Sequence, residues 1–124
     1  LENGNILVFA NGVYQSDLHH SQVLEIDPST NEVVWRYKAK DDFTSFFSPH
    51  MGGAQRLPSG NTLVCEGNKG CLFEVTNAGD IVREFVSPHF VQSDTFGRIN
   101  WLFRARWYAL DAPEIKALEN SVAL

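Results

Sequence analysis

The chain repeats itself, and the repeat leaves few folds open. Leu1-Glu2-Asn3-Gly4-Asn5-Ile6-Leu7-Val8-Phe9 returns as Leu57-Pro58-Ser59-Gly60-Asn61-Thr62-Leu63-Val64-Cys65. Leu24-Glu25-Ile26-Asp27, running on to Val33-Val34-Trp35-Arg36-Tyr37, returns as Phe73-Glu74-Val75-Thr76, running on to Ile81-Val82-Arg83-Glu84-Phe85. Ser48-Pro49-His50 returns as Ser87-Pro88-His89. Motifs recurring in one fixed order mark a structural unit. The first copy is longer, so it carries insertions around Tyr14 to His20 and around Lys40 to Phe46, and the basic unit is about 40 residues.

A unit of that length with one turn signal per short strand is what a four-stranded propeller blade requires. The nine Phe, three Trp, three Tyr and nine Gly favour strands and turns, and the density of Gly and Pro excludes a helical repeat. In the complete copy the four strands are expected at Gly53 to Leu57, Thr62 to Glu66, Cys71 to Val75 and Ile81 to Val86. In the first copy strands are expected at Asn5 to Phe9, Gln22 to Ile26 and Val33 to Tyr37, and the inner strand is missing. The loop 91–98 is followed by a strand over Asn100 to Tyr108, and Asp111 caps a short helix that has Pro113 in its first turn and Glu114 at the capping-box position and runs to about Glu119.

The fold class is therefore all-β: a partial β-propeller of about two four-stranded antiparallel blades, plus the inner strand of a third and a short C-terminal helix. Residues 1–50 form an incomplete blade with loop insertions, 51–90 a complete blade, and 91–124 the inner strand of the next blade and the helix, all within one propeller domain. Because the repeat begins mid-blade, the chain is expected to be cut from a longer propeller, with the remaining blades as its partners. Alone, it would expose unpaired strand edges and self-associate or unfold.

Composition narrows the function classes. A formal charge of −5 with no long basic run argues against a nucleic-acid partner. No apolar stretch approaches a membrane span. No Cys or His spacing matches a zinc site, and no Gly-rich phosphate loop is present. Cys65 and Cys71 flank the turn Glu66-Gly67-Asn68-Lys69-Gly70, which leaves open either a bridge across two strands or two small, partly buried thiols.

Successive connections in an up-and-down blade alternate between the two faces of the disc. The connection between the second and third strands therefore shares a face with the connection into the next blade. His19 and His20 lie in the first kind of connection, His50 and His89 in the second, so all four histidines belong to one face. That face is a candidate ligand cleft. His50 stands out because it precedes Gly52-Gly53-Ala54, whose small residues would keep a pocket open. Arg98, Arg104 and Arg106 are the basic cluster, and Arg104 and Arg106 point the same way on a strand. Their planar guanidinium groups suit a sulfate or carboxylate, or else tie carboxylates between blades.

Several segments resemble the C-terminal part of arylsulfotransferase-family propellers: Asn3 to Phe9, Phe46-Phe47-Ser48-Pro49, Ala54 to Gly67, Phe73-Glu74-Val75-Thr76, and Asn100 with Phe103-Arg104-Ala105. The resemblance spans nearly the whole chain in the right order. It implies a six-bladed propeller that moves a sulfuryl group from a phenolic sulfate to a phenolic acceptor, with no nucleotide donor and no cofactor. It also implies a channel histidine that is transiently sulfated, helped by His, Asn and Arg groups. In such relatives a His-Asp pair stands on the inner strand just before the segment equivalent to Leu1. The nucleophile is thus unassigned within this chain, with His50 and His89 as candidates and Arg104, Arg106, His19 and His20 as candidate substrate contacts. The piece alone is expected to be inactive, and a periplasmic or extracellular setting follows from the resemblance alone.

Two other readings compete. Leu24 to Trp35 resembles the turn and docking Trp of quinoprotein-like propellers, although Arg83 stands where the second copy would repeat Trp35. A non-catalytic propeller scaffold is the third reading.

Overall fold

The alternation of buried and half-buried positions in Cys71-Leu72-Phe73-Glu74-Val75 is that of a strand covered on one side, and the computed structural model, which describes residues 1–14 and 19–122, makes it one. Strands β1 (Ile6–Ala10), β2 (Gln22–Asp27) and β3 (Glu32–Tyr37) form a three-stranded antiparallel sheet in that order. Strands β4 (Gly53–Arg56), β5 (Thr62–Glu66), β6 (Cys71–Val75) and β7 (Ile81–Val86) form a four-stranded one. These are successive blades of a partial β-propeller, placed within a residue of the positions the repeat predicts. Part of the expected insertion at Tyr14 to His20, residues 15–18, lies outside the described residues.

The two sheets share a fine irregularity. Register slips between Glu25 and Ile26 where β2 meets β3, and between Glu74 and Val75 where β6 meets β7. In each case one valine, Val34 or Val82, is left over on the outer strand. A bulge at matching positions bends both outer strands alike.

The core lies between the sheets, where β1 runs beside β4. Leu7, Phe9, Val23, Trp35 and Tyr37 of the first sheet meet Ala54, Val64, Cys71, Phe73 and Val75 of the second. Phe46, from the connection between the sheets, wedges in the middle. Its ring centroid lies 5.7 Å from Phe9, 5.5 Å from Tyr37 and 5.5 Å from Phe73, mostly edge to face. The inner strand can pass this close only because Gly52 has no side chain: a Cβ there would sit 2.6 Å from the Phe9 ring.

The opposite face of the second sheet carries Leu63, Cys65, Leu72 and Phe85, and residues 100–107 run across it. The expected strand over Asn100 to Tyr108 is not formed. No described strand lies in ladder register with it, and its backbone is held by other groups. Leu102 N donates to Gly67 O at 2.9 Å. The Gln55 side-chain amide accepts from Trp107 N at 2.8 Å and donates to Trp107 O at 3.0 Å, replacing one rung of a ladder. Gly67 permits this approach, since a Cβ would lie 2.3 Å from Leu102 O.

Two further expectations change. Residues 91–98 are not simply a loop: β8 (Val91–Ser93) pairs with β9 (Gly97–Ile99) in a short hairpin closed at Gly97, whose φ of 71° suits the turn. The helix α1 runs Pro113–Val122 and begins after Ala112, whose carbonyl accepts from Ile115 and Lys116. Asp111 is therefore one residue too early to be the cap, as Pro113 takes the first helical position it favours.

Cys65 and Cys71 are both free thiols. Cys65 pairs in register with Leu72 and Cys71 with Glu66, so strand alternation sends the two sulfurs to opposite faces of the sheet.

Candidate functional site

The ends of β1, β3, β5 and β7 come together at one rim of the two sheets, and a buried polar network ties their loops. Ser48 and Ser21 are fully buried. Asn11 Nδ2 donates to Ser48 O at 2.6 Å, Ser21 Oγ to Asn11 O at 3.0 Å, and Ser48 N to Ser21 Oγ at 2.9 Å. Across to the second sheet, Asn68 N donates to Ser48 Oγ at 2.9 Å, and Phe47 N to the Glu66 carboxylate at 2.9 Å. Among the described residues no buried side-chain polar atom lacks a partner. A fully satisfied network of this kind fixes the loops it joins.

The described histidines leave from this rim. His50 is exposed, with its backbone N donating to Asn68 Oδ1 at 3.2 Å, so the network sets its position directly. The exposed His19 ring stacks on Phe47, with centroids 5.8 Å apart and planes 20° from parallel. His20 is half-buried on the same loop. His89 is exposed after β7, with its N 3.4 Å from Ser87 Oγ. No hydrogen bond or ring contact joins His19, His50 and His89 to one another among the described residues.

The three arginines separate. Arg98, on β9 of the hairpin, lies over the Phe90 ring at 4.3 Å. Arg104 is exposed and lies alongside Gly53, where β4 enters from the His50 loop: a Cβ built at Gly53 would be 3.9 Å from Arg104 Nε. Arg106 sits farther along, in a groove with Leu63, Leu72, Glu74, Phe85 and Trp107. Neither Arg104 nor Arg106 has a carboxylate partner among the described residues.

The opposite rim holds a cation–carboxylate cluster that spacing alone does not reveal. Arg56 Nη2 meets Glu25 Oε2 at 2.5 Å across the two sheets. Glu25 Oε1 also accepts from Asn5 at 2.7 Å and from Asn3 at 3.1 Å. Arg56 Nη1 donates to Thr62 Oγ1 at 2.7 Å and to Asn77 Oδ1 at 3.1 Å, and the guanidinium lies 4.6 Å over the Trp35 ring. Trp35 Nε1 in turn donates to Asn77 O at 3.0 Å. The hydrogen bond from Asn5, with those from Asn3 and Arg56, holds the Glu25 carboxyl below its ordinary range against the opposing effect of burial. A cleft of about 1040 Å³ opens beside this cluster, walled by Trp35, Leu57, Trp107 and Tyr108. With its charge matched by Glu25, Arg56 is a bond between blades rather than a free anion contact.

Asparagines in Asn-Gly-Asn and Ser-Gly-Asn turns, each followed by a Glu on the next-but-one strand, were the signal that could have found this cluster. The second copy repeats half of it, with Asn61 Nδ2 donating to Glu74 Oε1 at 2.7 Å. The turn Asp27 to Glu32 is structural, as Asp27 caps Ser29 with bonds of 2.8 and 2.6 Å. Among the described residues no helix is long and apolar enough to cross a membrane.

A family model described as arylsulfotransferase (ASST) matches residues 2–87, more than half of the chain. No curated protein and no solved structure matches it significantly.

Proposed function

The chain belongs to the arylsulfotransferase family, and from that we propose that it supplies part of the active cleft of a propeller transferring a sulfuryl group from a phenolic sulfate to a phenolic acceptor. The reaction runs through a histidine. A neutral imidazole nitrogen attacks sulfur with its lone pair, the S–O ester bond breaks, and the phenolate leaves with the bonding electrons. An acceptor phenol then attacks the N-sulfonated imidazole through its oxygen, its proton ending on the released donor phenolate, and the imidazole departs neutral. Imidazole suits this step because it needs no prior deprotonation to attack.

In this reading the attacking imidazole stands on an inner strand of a neighbouring blade, as the resemblance implies. This chain holds the anion and the ring. Arg104 is the anion contact: it is exposed, has no carboxylate partner among the described residues, and lies against Gly53 at the histidine rim. That observation carries the assignment, because a guanidinium donates two parallel hydrogen bonds to sulfate oxygens only if no carboxylate already occupies it. His50, whose backbone N–H is held by Asn68 at the same rim, is the second proposed donor to that anion. The stacked pair of His19 and Phe47 offers a flat ledge to an aryl ring.

The test is steady-state kinetics of the protein that carries this chain, with a chromogenic aryl sulfate and a phenol acceptor. Replacing Arg104 with Ala should lower kcat/KM by about 100-fold, as loss of one charge-stabilising donor does. Unchanged kcat/KM in Arg104→Ala would remove it from the site.

A further inference from the structure

The junction between the two sheets is used twice along the chain, and its second use is half assembled. Phe9 and Cys65 are repeat partners. Gly52 packs on the Phe9 ring as the chain enters the second sheet, and Leu102 packs on Cys65 as the chain crosses the far face of that sheet, with Cys65 Sγ 3.9 Å from Leu102 O. Four residues after Gly52 stands Arg56, and four residues after Leu102 stands Arg106. Glu25 and Glu74 are repeat partners as well, and each accepts on Oε1 from its own turn asparagine at 2.7 Å.

On Glu25, the other oxygen is taken by Arg56 at 2.5 Å. On Glu74, that oxygen has among the described residues only Arg83 Nε at 3.9 Å, from a side chain 80% exposed. Arg106 lines the same groove as Glu74, a space of about 230 Å³ walled by Leu63, Leu72 and Phe85. Leu63, Leu72 and Phe85 are the repeat partners of Leu7, Val23 and Tyr37, which in the first sheet pack in the core against the neighbouring blade, Val23 and Tyr37 buried and Leu7 half-buried.

We infer that Arg106 is the counterpart of Arg56, and that this face of the second sheet docks a third blade whose inner strand begins with residues 103–107, closed by an ion pair between Arg106 and Glu74 Oε2. The occupant of the face is thus this chain's own segment together with the blade it opens. Arg106 is thereby a residue of the blade interface, leaving Arg104 as the arginine turned to the histidine rim. The inference does not depend on sulfuryl transfer, since its readouts are stability and amide exchange.

Charge reversal in the protein that carries this chain tests it. Arg106→Glu and Glu74→Arg, made singly, should each lower the denaturant midpoint, and the double variant should recover most of that loss. Arg104→Glu combined with Glu74→Arg should recover none. Additive losses in the Arg106 and Glu74 pair would overturn the inference. So would a loss in Arg83→Gln as large as that in Arg106→Gln, because Arg83 would then be the partner of Glu74. If the reversed variants do not fold, hydrogen exchange on Arg106→Gln decides. Faster exchange at the Leu102 and Trp107 amides with no change at Ser21 is expected, and unchanged exchange at Leu102 and Trp107 overturns it.

Discussion

Arg56, at the end of the inner strand of one sheet, closes on Glu25 in the middle strand of the other at 2.5 Å, with side-chain exposures of only 17% and 11%. Removing one partner strands the other, so Arg56→Met should cost about 3 kcal/mol in denaturant unfolding. Lys40 and Asp80 also meet at 2.5 Å, but they are 55% and 62% exposed. Lys40→Met should cost less than about 1 kcal/mol by the same measurement.

The same cluster sets a pH dependence. The folded-state pKa of Glu25 lies below its ordinary value of 4.5, chiefly through the Asn5 hydrogen bond. A carboxyl depressed by folding stabilises the fold fully above the unfolded-state value, and that contribution is lost as pH falls through the folded one. Stability measured by denaturant midpoint should therefore fall below about pH 4.5, and the fall should be shallower in Glu25→Gln.

Gly52 is the point of closest approach between inner strand and core. With a Cβ 2.6 Å from the Phe9 ring, Gly52→Ala must displace a ring wedged against Phe46. The expected loss is about 1–3 kcal/mol in thermal or denaturant unfolding.

Both thiols are protected. Burial pushes Cys71 up to about 11, with Glu84 adding to it, and burial raises Cys65 as well. At pH 8 both should react with a disulfide reagent only at the rate of unfolding, and rapidly in denaturant. Since Cys71 is raised by folding, its contribution is present below the unfolded value of 9.0 and is lost as pH rises through about 11. Unfolding should become easier in that alkaline window.

What the sequence made legible was local. Strand positions followed from alternation and from Gly, Asn and Pro turns, and the docking character of Trp35 was visible in its turn context. Contacts between repeats were not. Arg56 carried no reading of its own, and nothing in its neighbours announced Glu25, which is 31 residues away in sequence. Residues 100–108 have strand composition, but the partner they take is the Gln55 side chain, and composition does not encode a partner. Arg104 and Arg106 read as a pair because alternation puts them on one face. The structure forms no strand there and separates them along the segment, one beside Gly53 and the other beside Glu74.

The reading of this chain as part of a sulfuryl-transferring cleft is tested most directly by following the label. The protein carrying the chain is given an aryl sulfate labelled in its sulfuryl group, together with an unlabelled phenol and no nucleotide. The label should appear as a new phenolic sulfate, and Arg104→Ala should suppress that transfer while leaving the denaturant midpoint unchanged. Label that stays on the donor, or that leaves only as inorganic sulfate, would contradict the account.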